Sequence, residues 1–141
     1  MRYSEVKKLI SELRENFEKY DIHEIILNMI DEEDDFEISN YRFINEDEID
    51  RIQQEELEDD VYILGCFNAW FISDVLDIDQ DVIEEMQKAG AYEAIGKLIL
   101  SMNKLEELQE EYARLDGYGH HFAHYDGNEN QINGYYFFKI N

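Results

Sequence analysis

Apolar residues recur at helical spacing along most of this chain, with charged residues between them. In the N-terminal segment the residues with this spacing are Val6, Leu9, Ile10, Leu13, Phe17 and Tyr20. A helix with such a stripe buries it against a core, so the spacing predicts an amphipathic helix from about Ser4 to Tyr20, capped by Ser4. The same pattern from Ile22 to Ile30 predicts a second helix over Asp21 to about Glu33.

Further helices follow in the middle of the chain. Val61 to Leu76 is the most apolar stretch, and its length favours one buried helix at the centre of the core. Asn45 and Glu48 have the spacing of a capping box, which predicts that a helix begins near Glu46. The remaining helices are predicted over 46–58, 77–88, 91–101 and 103–115.

Two regions have β character. Phe36–Ser39 and Tyr41–Ile44 are rich in aromatic and branched residues, which indicates a short strand or an extended connection. His120–Tyr125 and Gly134–Ile140 flank the turn-rich segment 126–130, which predicts a C-terminal β-hairpin. The expected fold is α+β and predominantly α-helical, a single domain over residues 1–141 with about six helices and a small C-terminal hairpin or sheet.

The cysteine content and the apolar runs bear on the compartment. Cys66 is the only cysteine and lies in an apolar run, so we expect a buried thiol and no disulfide within the chain. The N-terminal segment has no apolar core of signal-peptide length, and no run approaches the roughly 18 residues of a membrane span. We therefore expect a cytoplasmic protein.

The chain is strongly acidic. It has 35 acidic and 12 basic residues and a formal charge of −23, whereas a magnitude of about 2–8 suffices for the solubility of a small domain. Such a polyanion repels nucleic acid and anionic lipid, so direct binding to nucleic acid or membrane is not expected. It attracts basic surfaces, such as the groove of a nucleic-acid-binding protein.

The negative charge is concentrated between residues 31 and 60, which include 15 acidic residues and two basic ones. If both acidic segments lie on one side of the molecule, their carboxylates would imitate spaced phosphates. The alternative is a solvated face of a protein from an acid-rich proteome. The candidate partner-binding residues are Asp31, Glu32, Glu33, Asp34, Asp35, Glu46, Asp47, Glu48, Asp50, Glu55, Glu56, Glu58, Asp59 and Asp60.

Three of the four histidines lie close together, and the cluster comprises His120, His121, His124 and Asp126. Imidazole and carboxylate groups are ligands for Zn, Mn or Fe. The surrounding glycines argue against a helix here, and on a strand His121 would point away from His120 and His124. The alternative is that the imidazoles pack among neighbouring aromatic rings. We expect neither a metal nor a cofactor, and keep the four residues as candidates for a small metal-dependent enzyme.

Motifs of common enzymes are absent from the sequence. It contains no P-loop, no G-x-G-x-x-G, no G-x-S-x-G and no zinc-type cysteine pair. Paired carboxylates are uninformative in a chain that is a quarter acidic. A non-enzymatic function is therefore expected.

Three segments of the sequence resemble segments of small acidic proteins encoded by phages, prophages and plasmids. They are Asn40–Ile44, Tyr62–Ala69 and Leu115–Asp126. The resemblance implies a context, the cytoplasm of a bacterial host, in which small acidic proteins often inhibit host defence, as anti-restriction DNA mimics and acidic anti-CRISPR proteins do. It supplies no site residues. By this analogy the expected partner is a CRISPR effector or a restriction enzyme.

A third hypothesis is a phage assembly or interaction module. An exposed patch from the Tyr- and Phe-rich C-terminus would then be the interface, and the chain could form a homodimer.

Overall fold

The computed structural model describes all 141 residues, with nine α-helices and one four-stranded antiparallel sheet. The helices are α1 (Tyr3–Leu13), α2 (Lys19–Ile30), α3 (Ile49–Glu58), α4 (Val61–Gly65), α5 (Ala69–Leu76), α6 (Gln80–Lys88), α7 (Tyr92–Ser101), α8 (Leu105–Asp116) and α9 (Gly119–Phe122). The strands are β1 (Asp35–Ile38), β2 (Tyr41–Asn45), β3 (Asn130–Ile132) and β4 (Tyr135–Lys139). The α+β class is confirmed, with more helices than the six expected.

The chain divides into two compact units. Unit 1 comprises Met1–Ile49 and Gly117–Asn141, and therefore includes the whole sheet with α1, α2 and α9. Unit 2 comprises Asp50–Asp116, from the second residue of α3 to the end of α8. Each unit has its own hydrophobic core. The expected single domain over residues 1–141 stays a prediction.

The sheet of unit 1 has the strand order β1-β2-β4-β3, so two hairpins are joined through β2 and β4. Phe43 and Phe137 are cross-strand partners whose ring centroids lie 5.4 Å apart. Side chains alternate between the two faces of a strand, and this face packs against Leu9 and Leu13 of α1 and Ile25 of α2. The two N-terminal helices therefore cover one side of the sheet.

The opposite face of the sheet packs against α9. The Phe122 ring stacks on Phe138 with centroids 5.2 Å apart, and the Arg42 guanidinium lies 5.1 Å from the centre of the Phe122 ring. Phe122 and Phe138 are almost completely buried. Both faces of the sheet therefore carry buried aromatic side chains.

Unit 2 is helical, and two of its helices, α4 and α7, pack closely at glycine residues. A Cβ on Gly65 of α4 would overlap the carbonyl oxygen of Tyr92, and a Cβ on Gly96 of α7 would overlap that of Val61. The two helices therefore approach each other backbone to backbone. No helix of either unit is long and apolar enough to cross a membrane.

The predicted helix from Ser4 to Tyr20 is wrong in its extent. The structure ends α1 at Leu13, places a turn at residues 14–16, and begins α2 at Lys19. The Phe17 ring instead packs on the sheet, 4.7 Å from the ring of Tyr41. Ser4 lies inside α1, whose N-cap is Arg2.

The predicted helix from Val61 to Leu76 is interrupted. Asn68 has an extended backbone and is the N-cap of α5, so two shorter helices replace one. Cys66 lies at the end of α4 and is exposed, which corrects the expectation of a buried thiol. The helix predicted to begin near Glu46 begins at Ile49, because Asn45 ends β2 and its side chain accepts a hydrogen bond from the Asp47 N–H at 2.9 Å.

Candidate acidic interface

Two of the acidic segments meet at the open end of the β1–β2 hairpin in unit 1. β1 and β2 are antiparallel, so the residues before β1 and after β2 are neighbours in space. Asp35 is the cross-strand partner of Ile44, and the Asn45 N–H donates to the Asp34 carbonyl oxygen at 2.8 Å. Backbone pairing therefore brings residues 31–35 beside residues 46–48.

A third segment, the β3–β4 turn, completes this surface. The Glu46 N–H donates to the Gly134 carbonyl oxygen at 3.0 Å. Together the segments enclose a concavity of about 370 Å³, which we call the acidic concavity. It is lined by Met29, Glu32, Asp34, Asn45, Glu46, Asp47, Asn133, Gly134 and Tyr135. Four of these residues carry carboxylates, and no Lys or Arg lines it.

The Tyr135 side chain responds to this charge. Its hydroxyl donates to the Glu33 carbonyl oxygen at 2.7 Å. Burial, together with the negative charges of Asp34 and Glu32, raises the pKa of Tyr135 above its ordinary value. The phenol therefore stays neutral at physiological pH, and the carboxylates supply the charge of the acidic concavity.

Asp35 differs from the other acids of its run. Its carboxylate accepts two hydrogen bonds from the Arg42 guanidinium, at 2.9 and 2.7 Å. Only 16% of the Arg42 side chain is exposed, because it lies over the Phe122 ring. This bidentate pair neutralises Asp35, so Asp35 contributes less to an anionic surface than its neighbours.

The acids predicted for the helical segment lie in unit 2, and several of them serve the fold. The Asp50 carboxylate accepts a hydrogen bond from Gln109 at 2.8 Å, and Asp60 caps α4 by accepting from the Ile63 N–H at 3.2 Å. Glu55 forms an ion pair with Arg51 at 2.9 Å. Glu56 is half-buried, whereas Glu58 and Asp59 are exposed. The spacing of these acids in the sequence could not distinguish those that stabilise the fold from those that are simply exposed.

The histidine segment forms a short helix, so the predicted strand over His120–Tyr125 is wrong. Gly119 of α9 packs so closely on the Gly127 backbone that a Cβ would overlap the Gly127 carbonyl oxygen. The His121 ring packs edge-to-face on Phe122, with centroids 4.6 Å apart. His120 and His124 are exposed.

The candidate metal ligands are not brought together. Asp126 accepts a hydrogen bond from the Asn128 N–H at 2.9 Å, as the first residue of a turn. No group of three or more His, Cys, Asp or Glu side chains has the arrangement needed to hold a metal ion. The geometry therefore gives the hypothesis of a metal-dependent enzyme no support.

The C-terminal hairpin exists, but with a first strand other than the one predicted. β3 and β4 are joined at Asn133 and Gly134, which both have positive φ angles of 49° and 78°. An Asn-Gly pair between β-prone residues is a strong signal for a two-residue hairpin turn, and it could have located this turn. Tyr135 and Phe137 are buried, so the hairpin does not expose the aromatic patch that an assembly module would need.

Comparison of the chain with protein-family models, with curated proteins and with solved structures finds no match.

Proposed function

We propose that this chain is a non-enzymatic inhibitor, encoded by a phage or another mobile element, that binds a host defence nuclease. Its acidic concavity would occupy the basic nucleic-acid-binding surface of a CRISPR effector or a restriction enzyme. One observation carries the proposal: carboxylates from two separate segments, 31–35 and 46–48, meet at a concavity that no basic side chain lines.

The backbone arrangement supports mimicry because it fixes, before binding, the backbone positions from which the carboxylates project. Residues 34, 45, 46 and 134 are joined by backbone hydrogen bonds of 2.8 and 3.0 Å. Negative charge on an ordered backbone steers a basic partner, and the ordered backbone loses less conformational entropy on binding than a mobile chain would. The attraction between the exposed carboxylates and a basic cleft is screened by salt, so affinity should fall as the salt concentration rises.

The first experiment is to identify the partner. The tagged chain is incubated at low salt with a lysate of a bacterium that carries defence systems, and bound protein is eluted by a salt step and identified by mass spectrometry. We expect one nuclease or nucleic-acid-guided effector, which competing DNA or RNA also displaces. An eluate without such a protein, or a partner whose binding is indifferent to salt, would contradict the proposal.

A charge-reversal variant then locates the surface. In Glu32→Lys/Glu46→Lys/Asp47→Lys three of the four exposed carboxylates of the acidic concavity become ammonium groups. We expect affinity for the captured partner to fall by about a hundredfold or more, since like charges then face each other. Asp50 is left unchanged because its carboxylate binds Gln109.

The matched control makes the same change of charge elsewhere. Asp74→Lys/Glu106→Lys/Glu110→Lys replaces three exposed acids of unit 2. Its affinity should stay within about threefold of the parent after screening at 0.1 M salt, where the Debye length is about 10 Å. Equal losses in both variants would mean that net charge, and not the acidic concavity, governs binding.

A further inference from the structure

A second concavity of unit 1 is apolar. It lies along α1 and α2 and has a volume of about 530 Å³. Its apolar lining consists of Val6, Ile10, Ile22, Ile26 and Leu27. Leu27 is 45% exposed at its edge. We call this concavity the helical groove.

The polar side chains of the helical groove are all basic or neutral: Arg14, Lys19 and His23. This is unusual for the chain, because residues 1–27, which include the whole lining, contain five Lys or Arg and six acids, whereas the rest contains seven against 29. The groove therefore lies in a part of the chain where acids and bases are nearly balanced.

Arg14 and Lys19 are two of the four basic residues that have no ion pair, together with Lys7 and Lys139. Acids outnumber bases nearly threefold in the chain, and eight of its 12 bases pair with a carboxylate within 4.0 Å. Neither Arg14 nor Lys19 does so, and both line the same apolar groove. Two unpaired cations beside apolar surface are complementary to a ligand with one anionic end and one hydrocarbon end.

We propose that the helical groove binds a small monoanionic amphiphile, a carboxylate on an unbranched hydrocarbon chain of about ten to fourteen carbons. The hydrocarbon would lie on Ile10, Ile26 and Leu27, and the carboxylate would pair with Arg14 and Lys19. The volume is within the range of about 300–1,000 Å³ that is usual for small-molecule sites. An acidic peptide fits less well, because its several carboxylates would be repelled by the charge of −23.

The test uses the full chain and dodecanoate below its micellar concentration, with binding followed by titration calorimetry. Dodecanol, which has the same chain without the charge, and octanoate, which has the same charge on a shorter chain, are the comparison ligands. We expect one dodecanoate per chain, with an affinity about tenfold higher than that of dodecanol and more than tenfold higher than that of octanoate, which has four fewer methylenes. Absence of dodecanoate binding, or equal affinity for dodecanol, would overturn the proposal.

Two variants separate the charged end from the apolar lining. Arg14→Gln/Lys19→Gln should weaken dodecanoate binding about tenfold and leave dodecanol binding unchanged. The control Lys88→Gln/Lys97→Gln removes two bases from unit 2, and both affinities should be unchanged. Leu27→Asp should weaken the binding of both dodecanoate and dodecanol. Because Leu27 is exposed, the variant should fold, and circular dichroism checks this.

Occupation of the helical groove by a second copy of the chain would also overturn the proposal. Light scattering would then show a dimer that Leu27→Asp dissociates and dodecanoate does not. Because the groove and the acidic concavity are lined by different residues, loss of dodecanoate binding in these variants leaves partner capture through the acidic concavity unaffected.

Discussion

Two glutamine side chains, Gln53 and Gln109, are completely buried in unit 2. The Gln109 amide donates to the Gln53 side-chain oxygen and to the Asp50 carboxylate, both at 2.8 Å, and it accepts from Gln54 at 2.9 Å. The Gln53 side-chain nitrogen has no partner. A buried amide without a hydrogen bond costs about 1–3 kcal/mol, so the pairing of α3 with α8 includes one unfavourable group.

Gln109→Leu should lower the free energy of unfolding by about 2–3 kcal/mol, because it leaves the Gln53 oxygen without its donor as well. The double variant Gln53→Leu/Gln109→Leu should be less destabilised than Gln109→Leu, because neither buried amide remains. Urea unfolding of the parent, both single variants and the double variant measures this coupling. Strictly additive losses would show that the two amides do not interact.

The same network explains why the sequence could not sort the acidic residues by role. Asp50 and Glu58 have the same charge and lie on the same helix, α3. Only the position of Gln109, 59 residues beyond Asp50, assigns one of them to the fold. In the same way Asp35 is neutralised by Arg42 across a hairpin. Such roles depend on tertiary partners, which charge spacing does not specify.

At the scale of elements, the crossing of α4 and α7 depends on glycine. Gly96→Ala would by helix propensity alone stabilise α7 by about 1 kcal/mol. The Cβ would overlap the Val61 carbonyl oxygen, which belongs to backbone and cannot rotate away. We therefore expect a net loss of about 2 kcal/mol in the free energy of unfolding.

Ala94→Gly supplies the reference for this prediction, because Ala94 is exposed on the same helix. It should cost about 1 kcal/mol through propensity alone. Urea unfolding of both variants compares the two effects. If Gly96→Ala proved more stable than the parent, the close approach of α4 and α7 would be disproved.

Elements with a clear periodicity and a clear end could be predicted from the sequence. α7 and α8 lie within two residues of their predicted bounds, and both strands of the first hairpin coincide with their aromatic, branched segments. The wrong bounds have tertiary causes. Phe17 continues the helical spacing of α1, but it packs on Tyr41 of the sheet instead. Gly119 lies in a helix instead of the predicted strand, where its backbone packs closely against that of Gly127.

At the scale of the whole molecule, the sequence could state the proximity of the acidic segments only as a condition for nucleic-acid mimicry. In unit 1 the proximity of these segments has a structural cause: backbone hydrogen bonds hold Asp34 and Glu46 at the same end of the β1–β2 hairpin. The sequence indicated only a short strand or an extended connection over residues 36–44, so it predicted neither the β1–β2 hairpin nor the contribution of Gly134, which depends on pairing between β2 and β4. No sequence motif marks the helical groove, and its only sequence signal is the near balance of acids and bases in residues 1–27.

The charge of −23 also governs how stability responds to salt. The folded chain holds its carboxylates closer together than the unfolded chain does, so mutual repulsion opposes folding and screening should relieve it. We expect the Tm to rise by about 5 °C between 20 and 300 mM NaCl, measured by circular dichroism. The rise should be smaller in Glu32→Lys/Glu46→Lys/Asp47→Lys, in which three repelling charges are reversed. A Tm that falls with salt would mean that the surface ion pairs outweigh the repulsion.

The proposed binding to a basic partner should weaken over the same salt range in which the fold becomes more stable. A loss of partner binding at high salt could therefore not be attributed to unfolding of the chain.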